Sequence, residues 1–180
     1  MKQIFVYGSL RKGMYNYERY LKGKSHFVGY GYVKGCLYAL KDAAYPALLD
    51  GDQDVFGEIY EIDEQVASAI DELEGCHKDT LGEYYKARKI IRTTQGALLE
   101  LEVYCFSLDY EKNAERLKAV IPHGDFVKYV KEEKKEAIRL FTKRFLFMYN
   151  RGQEVIRHET LDSDPDGAEL GLSRVGGGRV

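Results

Sequence analysis

The chain has 180 residues and a formal net charge of −2, which suits one domain with an extension and favours neither nucleic acid nor a membrane surface as a partner. No apolar run has transmembrane length, and the first apolar stretch is too short for a signal peptide. Three scattered cysteines and four scattered histidines predict a cytoplasmic protein with no disulfide framework and no metal ligands.

The first predicted strand ends in a glycine-containing loop. Residues 4–7 have strand length and composition, Gly8 and Ser9 end the strand, and Gly13 follows. A chain that leaves a strand in this way exposes backbone N–H groups that can bind an anion such as a carboxylate, although an ordinary turn is the alternative. Gly8 and Gly13 have the spacing of a phosphate-binding loop, but Met14 and Tyr15 replace its lysine and hydroxyl residue, which excludes a nucleoside triphosphatase.

The next segments predict curved strands. Residues 27–40 are rich in tyrosine, valine and glycine, and Gly29, Gly31 and Gly35 favour bends or bulges. Residues 45–48 lead into another strand, and residues 55–61 form a strand in the middle of the chain. Later, residues 85–93 and 98–106 flank Thr94-Gln95-Gly96, which predicts a hairpin.

Residues 62–75 predict a helix with a carboxylate at its end. The apolar positions with helical spacing are Val66, Ala69, Ile70 and Leu73. Asp63 is the predicted N-cap and Gly75 the predicted terminator, so Glu74 is the last helical side chain. The helix dipole disfavours a charge there, and burial would raise the pKa of Glu74 further, as general acid–base chemistry requires. A solvated glutamate in an acidic helix is the alternative.

The character of the chain changes after Asp125. Residues 128–139 are charge-rich and residues 140–148 are strongly apolar. The apolar positions follow a helical stripe of Val127, Val130, Ile138, Phe141, Phe145 and Met148. We predict a domain at residues 1–130, a C-terminal helix at 131–150 and a flexible tail at 151–180. The helix either docks on its own domain or forms a subunit contact in a homodimer.

Four segments, in this order, resemble the gamma-glutamylcyclotransferase-like family, which includes the gamma-glutamylamine cyclotransferases. They are residues 5–13 (FVYGSLRKG), 55–61 (VFGEIYE), 71–75 (DELEG) and 121–126 (IPHGDF), so the resemblance covers roughly residues 1–130. It implies an α+β fold with a small, curved mixed sheet or barrel and flanking helices, to which the C-terminal helix is added.

The resemblance also implies a site between the first loop and the helix end. Glu74 matches the catalytic glutamate of the family. The loop that holds the glutamyl group through backbone contacts corresponds to Tyr7, Gly8, Ser9 and Leu10. The family tyrosine at the start of the next strand falls on Tyr84 or Tyr85, of which we assign Tyr85 to the site.

The implied substrate is a small γ-glutamyl amide, and the implied reaction needs no cofactor. The α-amine of the glutamyl group attacks its own γ-carbonyl, forms 5-oxoproline and releases an amine or amino acid, with Glu74 as general acid and base. Two alternatives come from other classes: a ligand-binding module without turnover, and an interaction protein that uses the apolar helix. The motifs leave the identity of the leaving group open.

Overall fold

Five strands of the chain close a small mixed barrel. The structure is a computed structural model that describes residues 1–76 and 81–161, and beyond Arg144 it describes only the side chain of Leu146. In this part of the chain the strands are β1 (Lys2–Val6), β2 (Ser25–Leu40), β3 (Pro46–Ile62), β4 (Tyr84–Thr93), β5 (Leu98–Phe106) and β6 (Leu117–Val120). Within the same residues no helix has the length and apolar content that crossing a bilayer would need.

The order of the strands confirms the predicted α+β class and the barrel. The sheet runs β3-β1-β5-β4-β2, and β2 pairs back with β3, which closes the ring, while β6 extends it beside β2. β1 is parallel to β5, and the other pairings are antiparallel. The predicted hairpin is β4–β5, and its turn glycine, Gly96, has a φ of +91°.

Two of the three predicted glycine irregularities coincide with shifts in strand register. The β2–β3 pairing shifts between Phe27 and Gly29 and again between Gly35 and Cys36. Gly31 lies in regular register, but a Cβ there would be 2.7 Å from Ile91 Cγ2. These local departures bend the long β2–β3 hairpin, as a barrel of five strands requires.

The core has two parts, and alternate residues of β1 enter different parts. Phe5 belongs to a cluster that draws on every barrel strand, with Val33, Ile59, Ile91 and Val103 among its members. Ile4 and Val6 belong to the other cluster, which packs helix α1 (Glu64–Leu73) against the barrel through Val66, Ala67 and Ile70. The cap prediction for α1 is confirmed, because the Asp63 carboxylate accepts a hydrogen bond from Val66 N at 2.8 Å.

Two further helices follow the barrel strands. Helix α2 (Asn113–Arg116) is a single turn before β6, and helix α3 (Phe126–Leu161) begins five residues earlier than the predicted helix. Phe126 is buried, and Tyr129 and Val130 pack against the barrel cluster that contains Phe5. Residues 151–161 continue α3, where we expected a flexible tail, and the rest of that predicted tail, 162–180, lies outside the described residues.

The chain divides into two units after Glu133. In the second unit, the apolar side chains Ile138, Leu140, Phe141 and Leu146 are each more than half exposed.

Candidate active site

A cavity of about 230 Å³ lies within the first unit, beside the loop that follows β1. Five parts of the chain form its wall: the β1 end and its loop, the start of β3, the end of α1, the start of β4, and β5. The lining residues are Phe5, Val6, Tyr7, Gly8, Ser9, Tyr15, Asn16, Tyr45, Pro46, Leu73, Glu74, Glu83, Tyr84 and Tyr104.

The loop after β1, which lines the cavity, has backbone N–H groups without hydrogen-bond partners in the described part of the chain. Among the described residues, no acceptor takes the backbone N–H of Gly8, Ser9 or Leu10, whereas Arg11 N donates to Gly8 O at 3.1 Å. Gly8 packs so closely on Pro46 that a Cβ would lie 2.8 Å from Pro46 Cδ. Unpaired N–H groups next to a glycine suit the binding of an anionic oxygen.

A buried arginine holds this loop in place. Arg11 Nη1 donates to Asp125 Oδ1 at 2.6 Å, and Arg11 Nε donates to Glu58 Oε1 at 3.4 Å. The other oxygen of Glu58 accepts from Lys12 N and from the Tyr60 hydroxyl, both at 2.8 Å. Although burial alone would raise the pKa of Asp125, Arg11 holds it below its usual value. Three of the sequence motifs, 5–13, 55–61 and 121–126, therefore meet in one ion-pair network.

Glu74 stands at the end of α1, where Gly75 with a φ of +66° terminates the helix. Its carboxyl lines the cavity, and within the described residues no group donates a hydrogen bond to it. Burial raises the pKa of Glu74 to about 8, and the negative charge of Glu83 adds to the increase. A carboxyl group with this pKa can both accept and return a proton near neutral pH.

Three tyrosines of the wall have their hydroxyls tied to the protein. Tyr7 donates to Tyr104 O at 2.6 Å, Tyr84 donates to Pro46 O at 2.8 Å, and Tyr104 donates to Asp71 Oδ1 at 2.6 Å. Burial raises the pKa of all three, so their phenols stay neutral. The rings therefore form a fixed, uncharged wall beside Glu74.

The structure does not bring two of the assigned residues into the cavity wall. Tyr85 is 45% exposed and points away from the cavity, because successive side chains of β4 face opposite sides. Tyr84, the other candidate for the family tyrosine, lines the cavity. Leu10 is buried in the core rather than exposed to the cavity, although its backbone N–H belongs to the loop.

Sequence reasoning missed a charged group at the edge of the cavity. Glu83 Oε1 accepts from Tyr45 OH at 2.9 Å and from Arg116 Nη1 at 2.8 Å. Arg116 Nε reaches Asp42 Oδ2 at 2.9 Å, and Asn113 Nδ2 donates to Glu83 O at 3.3 Å. These residues come from three segments that are far apart in the sequence, 42–45, 83 and 113–116, so no local sequence signal joins them.

Comparison with known proteins finds one matching family model and several relatives. A family model described as gamma-glutamyl cyclotransferase, AIG2-like, matches residues 4–128. A protein of Methanocaldococcus jannaschii, provisionally named a gamma-glutamylcyclotransferase, is 36% identical over 132 residues, which are 72% of this chain and 98% of that protein. The gamma-glutamylaminecyclotransferase of Rattus norvegicus is 33% identical over 89 residues, which are 42% of this chain and 56% of that protein.

A solved structure shares the fold. The AIG2-like protein of Mus musculus is 27% identical and superposes with a TM-score of 0.56, over 69% of this chain and 87% of that one. The family match spans residues 4–128 and therefore contains every residue that lines the cavity.

Proposed function

The chain belongs to the gamma-glutamyl cyclotransferase, AIG2-like family and is an enzyme, and on that premise we propose that it converts a γ-glutamyl amide into 5-oxoproline and a free amine. One observation carries the proposal. Glu74, with a pKa raised to about 8, lines the same small cavity as a loop with unpaired backbone N–H groups.

The loop is proposed to hold the glutamyl half of the substrate. Its α-carboxylate would accept hydrogen bonds from the N–H groups of Gly8, Ser9 and Leu10, which have no acceptor among the described residues. The Arg11 network supports this role because it fixes the loop before substrate arrives. A preorganised loop loses little conformational entropy on binding.

The reaction is an intramolecular acyl transfer. The α-amine nitrogen attacks the γ-carbonyl carbon and closes a five-membered lactam, and the bond from that carbon to the leaving nitrogen breaks. The attacking nitrogen loses one proton and the leaving nitrogen gains one, so the products are 5-oxoproline and a neutral amine. Because both reacting groups belong to one molecule, holding the folded conformer supplies much of the rate, with effective molarities of about 10⁵–10⁸ M in oriented systems.

Glu74 is proposed to carry the proton. Its carboxylate accepts the proton from the α-amine as the ring closes, and the resulting carboxyl returns it to the leaving nitrogen. A pKa near 8 suits both steps, because neither protonation state is strongly disfavoured at neutral pH. Positioned proton transfer of this kind typically contributes about 10²–10⁴-fold.

The direct test is a substrate panel. Purified protein is incubated with γ-glutamyl dipeptides, glutathione and γ-glutamylamines, and 5-oxoproline is quantified by mass spectrometry. We expect stoichiometric 5-oxoproline and amine from at least one class. Tight binding of these compounds without any 5-oxoproline would instead support the ligand-binding alternative.

We expect the pH profile of kcat/KM to report Glu74. The rate constant should rise about tenfold per pH unit below pH 8 and level off above it, because the proton acceptor is the ionised carboxylate and its pKa is raised to about 8. The α-ammonium group of the substrate is titrated separately by NMR, and its contribution is divided out. If the remaining rise in kcat/KM instead centred near pH 4.5, the ordinary value for a glutamate, the proton acceptor would not be a carboxyl group with a raised pKa.

We also propose that α3 joins two copies of the chain. Ile138 and Phe141 are one helical turn apart, and they are 66% and 72% exposed. Large apolar side chains at this spacing are stabilised when a second helix covers them.

Two truncations test this pairing. Deletion of residues 151–180 should leave both the activity and the number of chains per particle unchanged. Deletion from Phe141 onward should convert a dimer into a monomer without loss of the barrel fold, because the packed turn of α3 at Phe126 remains. Light scattering and a thermal melt measure both effects. A monomeric full-length chain would rule out the pairing.

A further inference from the structure

The ionisable side chains in the wall of the cavity, other than tyrosines, are acidic. Glu74 and Glu83 line it, and no lysine or arginine is among its lining residues in the described part of the chain. The loop N–H groups can satisfy the α-carboxylate of the glutamyl half, but the wall offers no cationic side chain for a second anionic group. The part of the substrate beyond the γ-carbonyl therefore meets carboxylates and aromatic rings.

Glu83 keeps one oxygen free for a ligand. Tyr45 OH and Arg116 Nη1 both donate to Oε1, whereas Oε2 receives no hydrogen bond from the described residues. Arg116 does not cancel the local charge, because its Nε also binds both oxygens of Asp42, at 3.0 and 2.9 Å. One guanidinium thus pairs with two carboxylates, and Arg116, Glu83 and Asp42 together have a net charge of −1.

Aromatic rings beside Glu83 favour a cation as well. Tyr45 and Tyr84 both line the cavity, and their ring centroids are 6.2 Å apart in an edge-to-face arrangement. The faces of tyrosine rings attract ammonium groups, and the attraction grows where water is partly excluded. A carboxylate flanked by two phenol rings is a suitable environment for an alkylammonium group.

We propose that Glu83 gives this enzyme a preference for γ-glutamyl amides whose leaving amine carries a second positive charge, as in an aliphatic diamine or polyamine. The inference rests on the proposed function and names its substrate class. Glu74 must reach the leaving nitrogen to return the proton, and Glu83 lines the same cavity, so the proposal places the chain attached to that nitrogen beside Glu83. An ammonium group there gains an ionic partner in Glu83, whereas a carboxylate there is repelled by Glu83.

The test compares three amides that differ at one terminus. They are γ-glutamyl-1,4-diaminobutane, γ-glutamylpentylamine, in which a methyl group replaces the ammonium, and γ-glutamyl-5-aminopentanoate, in which a carboxylate replaces it. We expect kcat/KM to be at least tenfold higher for the diamine than for pentylamine, and lowest for the carboxylate. In Glu83→Gln the diamine-to-pentylamine ratio should approach one. The ratio is informative because any effect of Glu83 on Glu74 applies to both substrates.

Glu100→Gln is the matched control. Glu100 is exposed, pairs with Arg88 and lies outside the cavity, so this variant should keep the wild-type ratio. Sodium chloride provides a second measurement that needs no variant, because added salt should reduce the diamine preference of the wild-type protein. Equal kcat/KM values for the three amides, or an unchanged ratio in Glu83→Gln, would overturn the proposal.

Binding measurements separate this proposal from the proposed function. Glutaryl-1,4-diaminobutane and glutarylpentylamine lack the α-amine and cannot cyclise, so calorimetry with them reports charge preference without turnover. Tighter binding of the diamine compound, lost in Glu83→Gln, would support the role of Glu83 even if none of the three amides yielded 5-oxoproline. Equal binding of both compounds by the wild-type protein would refute it.

Discussion

Glu74→Gln is expected to lower kcat/KM for 5-oxoproline formation by about 10²–10⁴-fold while leaving substrate binding largely intact. The amide has nearly the shape of the carboxyl group but cannot accept the proton of the attacking amine. Stopped assays measure the loss, and calorimetry with the glutaryl compounds measures binding. If the variant kept more than about a tenth of the wild-type kcat/KM, the loss would be smaller than removal of a general base usually causes. Glu74 would then not carry the proton.

The same variant should be more stable than the wild-type protein at pH 8. Burial raises the pKa of Glu74 from 4.5 to about 8, so between these values the unfolded chain releases a proton that the folded chain retains. Wild-type stability therefore falls as the pH rises through this window. Glutamine removes this loss, and the melting temperature of Glu74→Gln should exceed that of the wild type by several degrees at pH 8.

At pH 4 the wild type and Glu74→Gln should have the same melting temperature. Glu74 is then protonated in the folded chain and mostly protonated in the unfolded chain. This pair of melts distinguishes a catalytic carboxyl in a desolvated position from a structural one. A glutamate that mainly stabilised the fold would make Glu74→Gln less stable at both pH values.

Gly8→Val is expected to reduce kcat/KM by about ten- to a hundredfold, because the new side chain collides with the cavity wall. A Cβ at Gly8 would lie 2.8 Å from Pro46 Cδ and 3.0 Å from Pro46 Cγ, so either the loop or Pro46 must move. The reason is close approach rather than backbone conformation, since the loop glycine with a positive φ is Gly13. Steady-state kinetics and a thermal melt measure the consequences.

Two variants serve as controls for this loop. Ser9→Ala removes only the hydroxyl that accepts from Asn16 Nδ2 at 2.9 Å and keeps the backbone N–H, so its effect on KM should be small. Gly29→Val adds the same side chain where no atom lies within 4 Å of the new Cβ, and it should leave activity unchanged. Equally small effects of Gly8→Val and Ser9→Ala on KM would argue that the loop does not hold the glutamyl group.

Local patterns in the sequence determined most of the elements of this protein. The cap at Asp63, the helix end at Gly75, the β4–β5 turn at Gly96 and the shifts beside Gly29 and Gly35 were each predictable, because each depends on residues a few positions apart. The resemblance of short motifs to one family likewise identified the barrel and the family to which the chain belongs. The position of Glu74 at a helix end already indicated the direction of its pKa shift.

The rest of the cavity wall, beyond the first loop and Glu74, was decided only by the tertiary structure. Whether Tyr84 or Tyr85 lines it depends on which face of β4 turns inward, and one residue of register reverses that choice. Arg11 and Asp125 meet across 114 residues, and Arg116 and Glu83 across 33, because barrel closure brings distant segments together. The pKa of Glu74 near 8 depends mainly on desolvation by burial and further on the charge of Glu83, and both effects exist only once the chain is folded.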